Sequence, residues 1–136
     1  MILASIQRIK AIEKHPNADL LDIATVLNYK AIVKRDQFKV GDLIVFIEPD
    51  SVLPQVPWSV MYRSKSNRVK AIRLRGEWSF GIVESMENVG LYYDPEHGYQ
   101  RFSEGDDVTE ILGVTKYEPP MPQDLSAAGV YGYGIP

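Results

Sequence analysis

The 136-residue sequence contains no cysteine and only two histidines, His15 and His97. Disulfides and thiolate zinc sites are therefore excluded, and a metal site would need mainly carboxylate ligands, so we expect neither a bound metal nor a cofactor. No apolar run approaches the ~20 residues that cross a bilayer, and the first residues lack the charge order of a secretion signal. We therefore expect a cytoplasmic protein that does not contact membranes.

Motifs for covalent chemistry are also missing. No lysine lies in the K-x-D-G setting of nucleotidyl transfer, and in the nearest sequence, "KVGD" at Lys39, glycine and aspartate are reversed. The chain has no G-x-S-x-G, P-loop or H-E-x-x-H pattern. The close carboxylate pairs, Glu48 with Asp50 and Asp106 with Asp107, are typical of strand ends and turns. We predict no catalytic residues, and no enzymatic activity for this chain alone.

The net charge is −3, but the charged residues are distributed unevenly along the sequence. Residues 63–75, "RSKSNRVKAIRLR", contain six basic residues and no acid, whereas residues 76–136 contain eleven acids and two bases. Because salt screens charges beyond roughly 10 Å, a local basic stripe can bind a polyanion on a chain that is acidic overall. A solvated surface remains the other interpretation of such a run.

Apolar residues alternate with a period of two along most of the chain, which predicts short strands. The pattern of "ILASIQRIKAIE" changes phase near Ile9, which indicates a bend in the first strand. "DLIVFIE" is apolar on both faces and predicts a central strand. "FKVGDLIV" and "FSEGDDVT" share F-x-x-G-D, which predicts two turns that feed strands.

Five or six short strands with a bent first strand favour an all-β fold, a small barrel of the OB-fold type. Residues 84–101 lack a clear period and predict an irregular insertion or hairpin. The prolines and glycines after Gly113 cannot build a core, so we predict an OB-fold nucleic-acid-binding domain over residues 1–113 and a Pro/Gly-rich linker or arm over residues 114–136.

The basic stripe is the candidate binding site. Alternation places Arg73 and Arg75 on one strand face, where they can contact successive phosphates. Trp78 and Phe80 follow as stacking platforms for bases or as core residues, and both alternatives stay open. Trp58 and Tyr62, just before the stripe, could stack or form a lid. The predicted nucleic-acid-binding residues are Lys34, Arg35, Arg63, Lys65, Arg68, Lys70, Arg73, Arg75, Trp78 and Phe80.

The segment "HPNAD" beginning at His15 has two interpretations. Proline favours an extended conformation at the preceding residue, and Asn17 and Asp19 can bond to nearby backbone amides, which predicts a turn between two strands. A histidine beside two oxygen-bearing side chains could also be a metal or catalytic site. The turn chemistry favours the first interpretation.

Three spaced motifs resemble the OB-type tRNA-binding domain of aminoacyl-tRNA synthetases and of free tRNA-binding proteins. They are "HPNADLLDIATV", "GDLIVFIEPDSVLP" and "VKAIRLRGEWSFGIV". In the last motif, Arg75-Gly76 and Ser79-x-Gly81 match the K-x-R-G-x-x-S-x-G element of that family. The resemblance implies an OB barrel that handles RNA.

A second resemblance extends into the tail. "YKAIVKRDQFKVGDLIVFIEPDSVLP" and "EGDDVTEILGVTKYEPPMP" are similar to the amino-terminal OB module of a bacterial and phage-type RNA ligase family. Those ligases seal nicks in duplexes that contain a 3′-hydroxyl RNA strand, and the module helps the enzyme to engage its substrate. The resemblance implies a module that binds RNA or a nicked RNA/DNA duplex, without the ligase activity itself.

Several alternatives remain open at this level. The chain could be a protein-interaction module that docks on a ligase catalytic domain, or a free tRNA-binding protein. It could be part of an ATP-dependent RNA ligase or a protein that stands alone, and its oligomeric state is open.

Overall fold

Short strands account for most of the regular structure. The computed structural model describes residues 1–63, 66–91 and 102–119. A 3₁₀-helix spans Pro57–Tyr62, and one α-helical turn, α1, spans Thr109–Leu112. In the described residues the strands are β1 (Ala4–Arg8), β2 (Ala11–Lys14), β3 (Leu21–Val26), β4 (Tyr29–Lys34), β5 (Leu43–Ile47), β6 (Ser51–Val52), β7 (Ile72–Leu74), β8 (Glu77–Ser79), β9 (Ile82–Glu84) and β10 (Thr115–Lys116).

The first predicted strand is divided where its apolar pattern changes phase. β1 pairs with β5, whereas β2 pairs with β3. Ile9 lies buried in the bend between β1 and β2, and its N–H donates to the carbonyl of Asp42 (3.0 Å). One bent segment therefore belongs to two sheets, and the predicted bend is confirmed.

The two sheets meet again at their far edges. One sheet has the order β1–β5–β9 and the other β2–β3–β4, and all neighbouring strands are antiparallel. The N–H of Phe80, just before β9, donates to the carbonyl of Lys30 on β4 (2.8 Å). The N–H of Ile32 donates to the Ser79 hydroxyl (2.9 Å). These bonds connect the two sheets at β4 and at the segment before β9, and the fold is of the predicted all-β OB-fold type.

The central strand β5 packs on both of its faces. Val45 and Ile47 pack with Ile6 in one core cluster. Ile44 and Phe46 lie in a second core cluster, together with residues of β3 and β4. All five side chains are fully buried or nearly so. The prediction that "DLIVFIE" forms a central strand is confirmed, because a strand between two cores must be apolar on both faces.

The second F-x-x-G-D segment does not lead into a strand as predicted. After Gly105 and Asp106 the chain forms α1 instead. The Thr109 hydroxyl oxygen accepts hydrogen bonds from the N–H groups of Leu3 (2.9 Å) and Ala4 (3.0 Å). These buried bonds hold α1 against the start of β1, so tertiary contacts decide the conformation here.

The segment before the basic stripe also differs from the prediction. It forms a 3₁₀-helix, which Pro57 suits because proline fits the first helical turn. Trp58 and Tyr62 are partly buried and pack against the core. In the described ranges, no helix has the length and apolar character needed to cross a membrane.

The predicted arm starts with an ordered strand. β10 pairs with β6, and the N–H of Tyr117 donates to the carbonyl of Asp50 (3.2 Å). Residues 120–136 of the arm and residues 92–101 of the predicted insertion lie outside the described residues. The domain boundary at residue 113 stays a prediction.

Candidate nucleic-acid interface

The basic stripe ends in a tight hairpin, the β7–β8 hairpin (residues 72–79). Its strands join through Arg75 and Gly76, which have φ values of 52° and 89°. Two successive left-handed residues form the type I′ turn that suits a two-residue β-hairpin. Arg75 therefore lies at the tip of the turn, and the prediction that it shares a strand face with Arg73 is wrong.

One face of the hairpin is cationic and aromatic. Arg73 lies opposite Trp78, with its guanidinium carbon 5.9 Å from the centre of the indole ring. The Phe80 ring centre lies 6.3 Å from that of Trp78, with 27° between the ring planes. Trp78 is 50% exposed and Phe80 38% exposed. The alternative that both rings belong to the core is therefore wrong, and both can be reached by a ligand.

A depression adjoins this face at Phe80. Its volume is about 450 Å³, and Tyr29, Lys70, Arg68 and the acidic Asp50 contribute to its lining. Lys70 is exposed. An aromatic ring, a cation and a concave floor thus occur side by side, which is an arrangement that can hold a base together with its phosphate.

Arg35, one of the predicted phosphate contacts, has a mostly buried side chain that is bonded within the protein. Its Nε atom lies 2.6 Å from Oδ1 of Asp22, and the side chains are only 23% and 5% exposed. The same guanidinium donates to the carbonyl of Leu21 (3.0 Å from Nη2). The Asp22 carboxylate also accepts the N–H of Asp36 (3.0 Å). These contacts give Arg35 a structural role.

Arg68 and Arg63 are also bonded within the protein. Both Nε and Nη2 of Arg68 donate to Oδ1 of Asp50 (2.9 and 2.7 Å), and the guanidinium carbon lies 4.0 Å from the centre of the Tyr117 ring. The hydrogen bond that Arg68 donates to the Asp50 carboxylate raises the pKa of Arg68. Arg63 donates from Nε to the Ser59 hydroxyl (2.7 Å). Arg68 thus connects Tyr117, the residue after β10, to the turn before β6.

Four of the five remaining predicted cations are exposed. Lys65 lies outside the described residues. In the part of the chain that the structure describes, no carboxylate lies within salt-bridge distance of the other four, which are Lys34, Lys70, Arg73 and Arg75. Three of them, Lys70, Arg73 and Arg75, belong to the hairpin or to the segment leading into it, so these are the stripe cations that the structure places beside the aromatic face.

The opposite face of the hairpin is apolar. Ile72 and Leu74 are partly exposed there and, with Met61 of the 3₁₀-helix, line a pocket of about 340 Å³. Tyr62 also lines this pocket, and its hydroxyl donates to the buried carboxylate of Glu84. Burial, and then the hydrogen bond to Glu84, raise the pKa of Tyr62 far above its usual range. The face with Arg73 and Trp78 and the face with Ile72 and Leu74 therefore differ in chemistry, and Lys70 lines the depression on one side and the pocket on the other.

Replacing Tyr62 with phenylalanine is expected to destabilise the domain by about 1–3 kcal/mol, because the buried carboxylate of Glu84 loses its hydroxyl donor. Urea unfolding followed by circular dichroism measures the difference in free energy. Met61→Ala, at the exposed neighbouring position, is the control and should change stability by less than about 0.5 kcal/mol. Equal stability of Tyr62→Phe and the wild type would show that the hydroxyl is dispensable.

The predicted turn at His15 bonds to the tip of the hairpin. His15 is 4% exposed, and its Nδ1 atom accepts the N–H of Asn17 (3.0 Å). Its Nε2 atom therefore carries the proton and donates to the carbonyl of Leu74 (2.9 Å). Asn17 Nδ2 donates to the carbonyl of Arg75 (2.8 Å). Both ring nitrogens are hydrogen-bonded within the protein, and the predicted turn between two strands is confirmed.

Contacts with the rest of the domain explain why Ser79 and Gly81 follow the hairpin turn in this motif. The Ser79 hydroxyl connects β8 to β4 through the N–H of Ile32. Gly81 has a φ of 84°, and a Cβ atom there would lie 2.5 Å from the Phe46 ring and 2.7 Å from the carbonyl of Ile47. Only glycine allows this close approach. The S-x-G pair therefore anchors the hairpin to the barrel.

Solved structures of Naegleria gruberi RNA ligase are similar to this chain. One mutant with ATP and Mn aligns with a TM-score of 0.74 and 31% identity, over 90% of this chain and 37% of that chain. Another mutant, with AMP and Mn, aligns with a TM-score of 0.73 and 32% identity, over 92% and 38% of the two chains. The predicted resemblance to an OB module of RNA ligases is confirmed.

A synthetase subunit is similar as well. The phenylalanine–tRNA ligase beta subunit of Syntrophotalea carbinolica is 29% identical over 138 residues, which cover 90% of this chain and 16% of the subunit. The chain thus spans well under half the length of each of these relatives. The model of a family described as an OB-fold domain matches residues 3–86. Since that match covers more than half of the sequence, the chain belongs to this family of OB-fold domains.

Proposed function

We propose that this domain is a non-catalytic module that binds RNA, or a nicked duplex that contains RNA, through the cationic and aromatic face of the β7–β8 hairpin. The observation that carries the proposal is the pair of exposed, neighbouring rings of Trp78 and Phe80, with the Arg73 guanidinium 5.9 Å from the centre of the indole ring. Exposed aromatic rings beside cations are the usual platform for unpaired bases.

The chemistry divides between two kinds of contact. Trp78 and Phe80 stack on bases, and Lys70, Arg73 and Arg75 contact the phosphates that join them. Stacking is tolerant of sequence because every base has a π-face, and phosphate contacts carry no sequence information. Binding should therefore depend on strand character and salt more than on base sequence.

The similar proteins support the choice of RNA as the ligand. Their names are RNA ligase and phenylalanine–tRNA ligase, and enzymes of both names act on RNA. The lack of a K-x-D-G lysine in this sequence supports a binding role without nucleotidyl transfer. A ligase catalytic domain is the partner that we propose for the activity as a whole.

Arg73→Ala combined with Arg75→Ala is expected to weaken RNA binding roughly 25-fold at 0.1 M salt, because two phosphate contacts are lost. The slope of log affinity against log salt should fall by about 1.4–1.8. Fluorescence anisotropy with labelled single-stranded RNA, tRNA, nicked duplex and DNA at several salt concentrations measures both quantities. The same panel identifies the preferred ligand.

The matched control for this double variant removes the same charge from another surface. Lys10 and Lys39 are exposed near the β1–β2 bend, where the N–H of Gly41 donates to the carbonyl of Ile9. Lys10→Ala with Lys39→Ala should leave the salt slope unchanged. If the arginine variant also leaves both affinity and slope unchanged, the hairpin is not the binding face.

A second candidate function is protein docking, which the apolar pocket on the other hairpin face favours. Ile72, Leu74 and Met61 present exposed apolar surface there, and such patches are typical of interaction sites. An interaction with a partner protein that survives nuclease and high salt, together with no RNA binding at any salt concentration, would favour this function over the first.

A further inference from the structure

The tip of the β7–β8 hairpin is held in an unfavourable backbone conformation. Arg75 has a φ of 52°, in the left-handed region that residues with a Cβ atom avoid and that asparagine, aspartate and glycine usually supply at this turn position. All three residues of β7 are exposed. Contacts from outside the hairpin must therefore contribute to the order of its tip.

The 15–20 turn supplies such contacts, from nearly sixty positions earlier in the sequence. His15 donates to the carbonyl of Leu74 and Asn17 to the carbonyl of Arg75, at 2.9 and 2.8 Å. The two bonds fix consecutive peptide groups at the point where the chain reverses. A Cβ atom on Gly76 would lie 3.4 Å from the Asn17 side-chain amide, so the Asn17 side chain also lies beside Gly76.

The donor turn is itself held by hydrogen bonds within the domain. His15 is buried and accepts the N–H of Asn17, and its own N–H donates to the carbonyl of Leu21 (3.2 Å). Pro16 restricts its own φ and the conformation of His15. The donors therefore occupy defined positions before any ligand arrives.

The conformation of the turn sets the position of a binding group. Arg73 Nε donates to the carbonyl of Gly76 (3.3 Å), and its guanidinium lies near the Trp78 ring. A change at the Arg75–Gly76 turn moves this carbonyl and, with it, the cation beside the indole. The other end of the hairpin is fixed to β4 through Ser79.

We propose that the 15–20 turn is a positioning element of the RNA interface. It holds the hairpin tip through His15 and Asn17, so that the side chains of Arg73 and Trp78 are ordered before RNA binds. The proposal rests on the proposed function, since it concerns how the same face binds. Asn17 acts through the hairpin and need not touch RNA. Ordering side chains before binding reduces the entropy lost on binding.

Asn17→Ala is the test, because Asn17 is exposed and its side chain bonds to the hairpin. We expect RNA affinity to fall about three- to tenfold with an unchanged salt slope, since the phosphate-binding arginines remain. We also expect ¹⁵N relaxation without RNA to show greater mobility of the Arg75 and Gly76 amides. Leu20→Ala, an exposed change in the same turn, should alter none of these quantities.

The relaxation measurement separates this proposal from the proposed function. Unchanged mobility of the tip in Asn17→Ala would overturn the positioning role, whether or not the wild type binds RNA. A lowered affinity with a reduced salt slope would also overturn it, because Asn17 would then affect phosphate contacts directly. If the wild type binds no RNA in the panel, the proposed function fails. A more mobile hairpin tip in Asn17→Ala would then show that the 15–20 turn stabilises the hairpin but has no role in RNA binding.

Discussion

Replacing Trp78 and Phe80 together with alanine is expected to weaken binding to single-stranded RNA by at least about 30-fold. Base–aromatic stacking contributes about 1–3 kcal/mol per base, and a factor of ten in affinity corresponds to about 1.4 kcal/mol. Both rings are exposed, and they lie close enough to act on neighbouring bases. The salt slope should change little, because no cation is removed.

A conservative variant distinguishes stacking from loss of structure. Trp78→Tyr with Phe80→Tyr keeps two aromatic faces at the same positions and should retain most of the affinity. Fluorescence anisotropy gives the affinities, and thermal unfolding gives the stabilities of both double variants. If the alanine variant binds as tightly as the wild type while remaining folded, bases do not stack on this face.

The same pair of variants separates RNA binding from protein docking. The two rings lie on the hairpin face that carries Arg73, whereas the apolar pocket is lined by Ile72 and Leu74 from the other face. Loss of RNA binding in Trp78→Ala with Phe80→Ala, with an intact interaction between the domain and a protein partner, would show that the faces work independently.

Local patterns predicted the framework of the barrel. The phase change at Ile9 predicted the bend, and the continuous apolar run of β5 predicted a strand between two cores. These features follow from side-chain alternation, which is a property of a few neighbouring residues. The segment after Gly105 was mispredicted because bonds from Thr109 to Leu3 and Ala4 join opposite ends of the domain.

Charge pattern alone could not separate binding cations from structural ones. Arg68 and Arg73 belong to the same stripe, yet Arg68 pairs with Asp50 and Arg73 lies near Trp78. The acid that pairs with Arg68 is eighteen residues away along the chain. A run of basic residues predicts a local field, but the three-dimensional fold decides which of its members pair with an acid.

The sequence patterns identify the two motifs separately but do not predict the contact between the 15–20 turn and the hairpin. Alternation assigned Arg75 to a strand, which concealed its left-handed conformation and its need for external support. The R-G dipeptide was the available signal, since a glycine between two short alternating runs is typical of a tight hairpin turn. Which part of the chain would contact that turn could not be predicted from sequence spacing.

Arg35→Ala is expected to destabilise the domain by about 3–5 kcal/mol, because it leaves the Asp22 carboxylate buried without its cation. That is a large share of the about 5–15 kcal/mol that stabilises a typical domain. Lys34→Ala, the adjacent exposed position, is the matched control and should stay within about 0.5 kcal/mol of the wild type. Urea unfolding measures all three proteins.

A double variant decides whether the buried pair causes this loss. The double variant Asp22→Ala with Arg35→Ala leaves neither charge unpaired. Its loss of unfolding free energy should therefore be smaller than the sum of the losses in Asp22→Ala and Arg35→Ala measured separately. The N–H of Asp36 loses its acceptor both in Asp22→Ala and in the double variant, so the loss of this hydrogen bond lowers the stability of both equally. If Arg35→Ala instead keeps full stability and weakens RNA binding, Arg35 is a phosphate contact, and the interface extends from the hairpin to the end of β4.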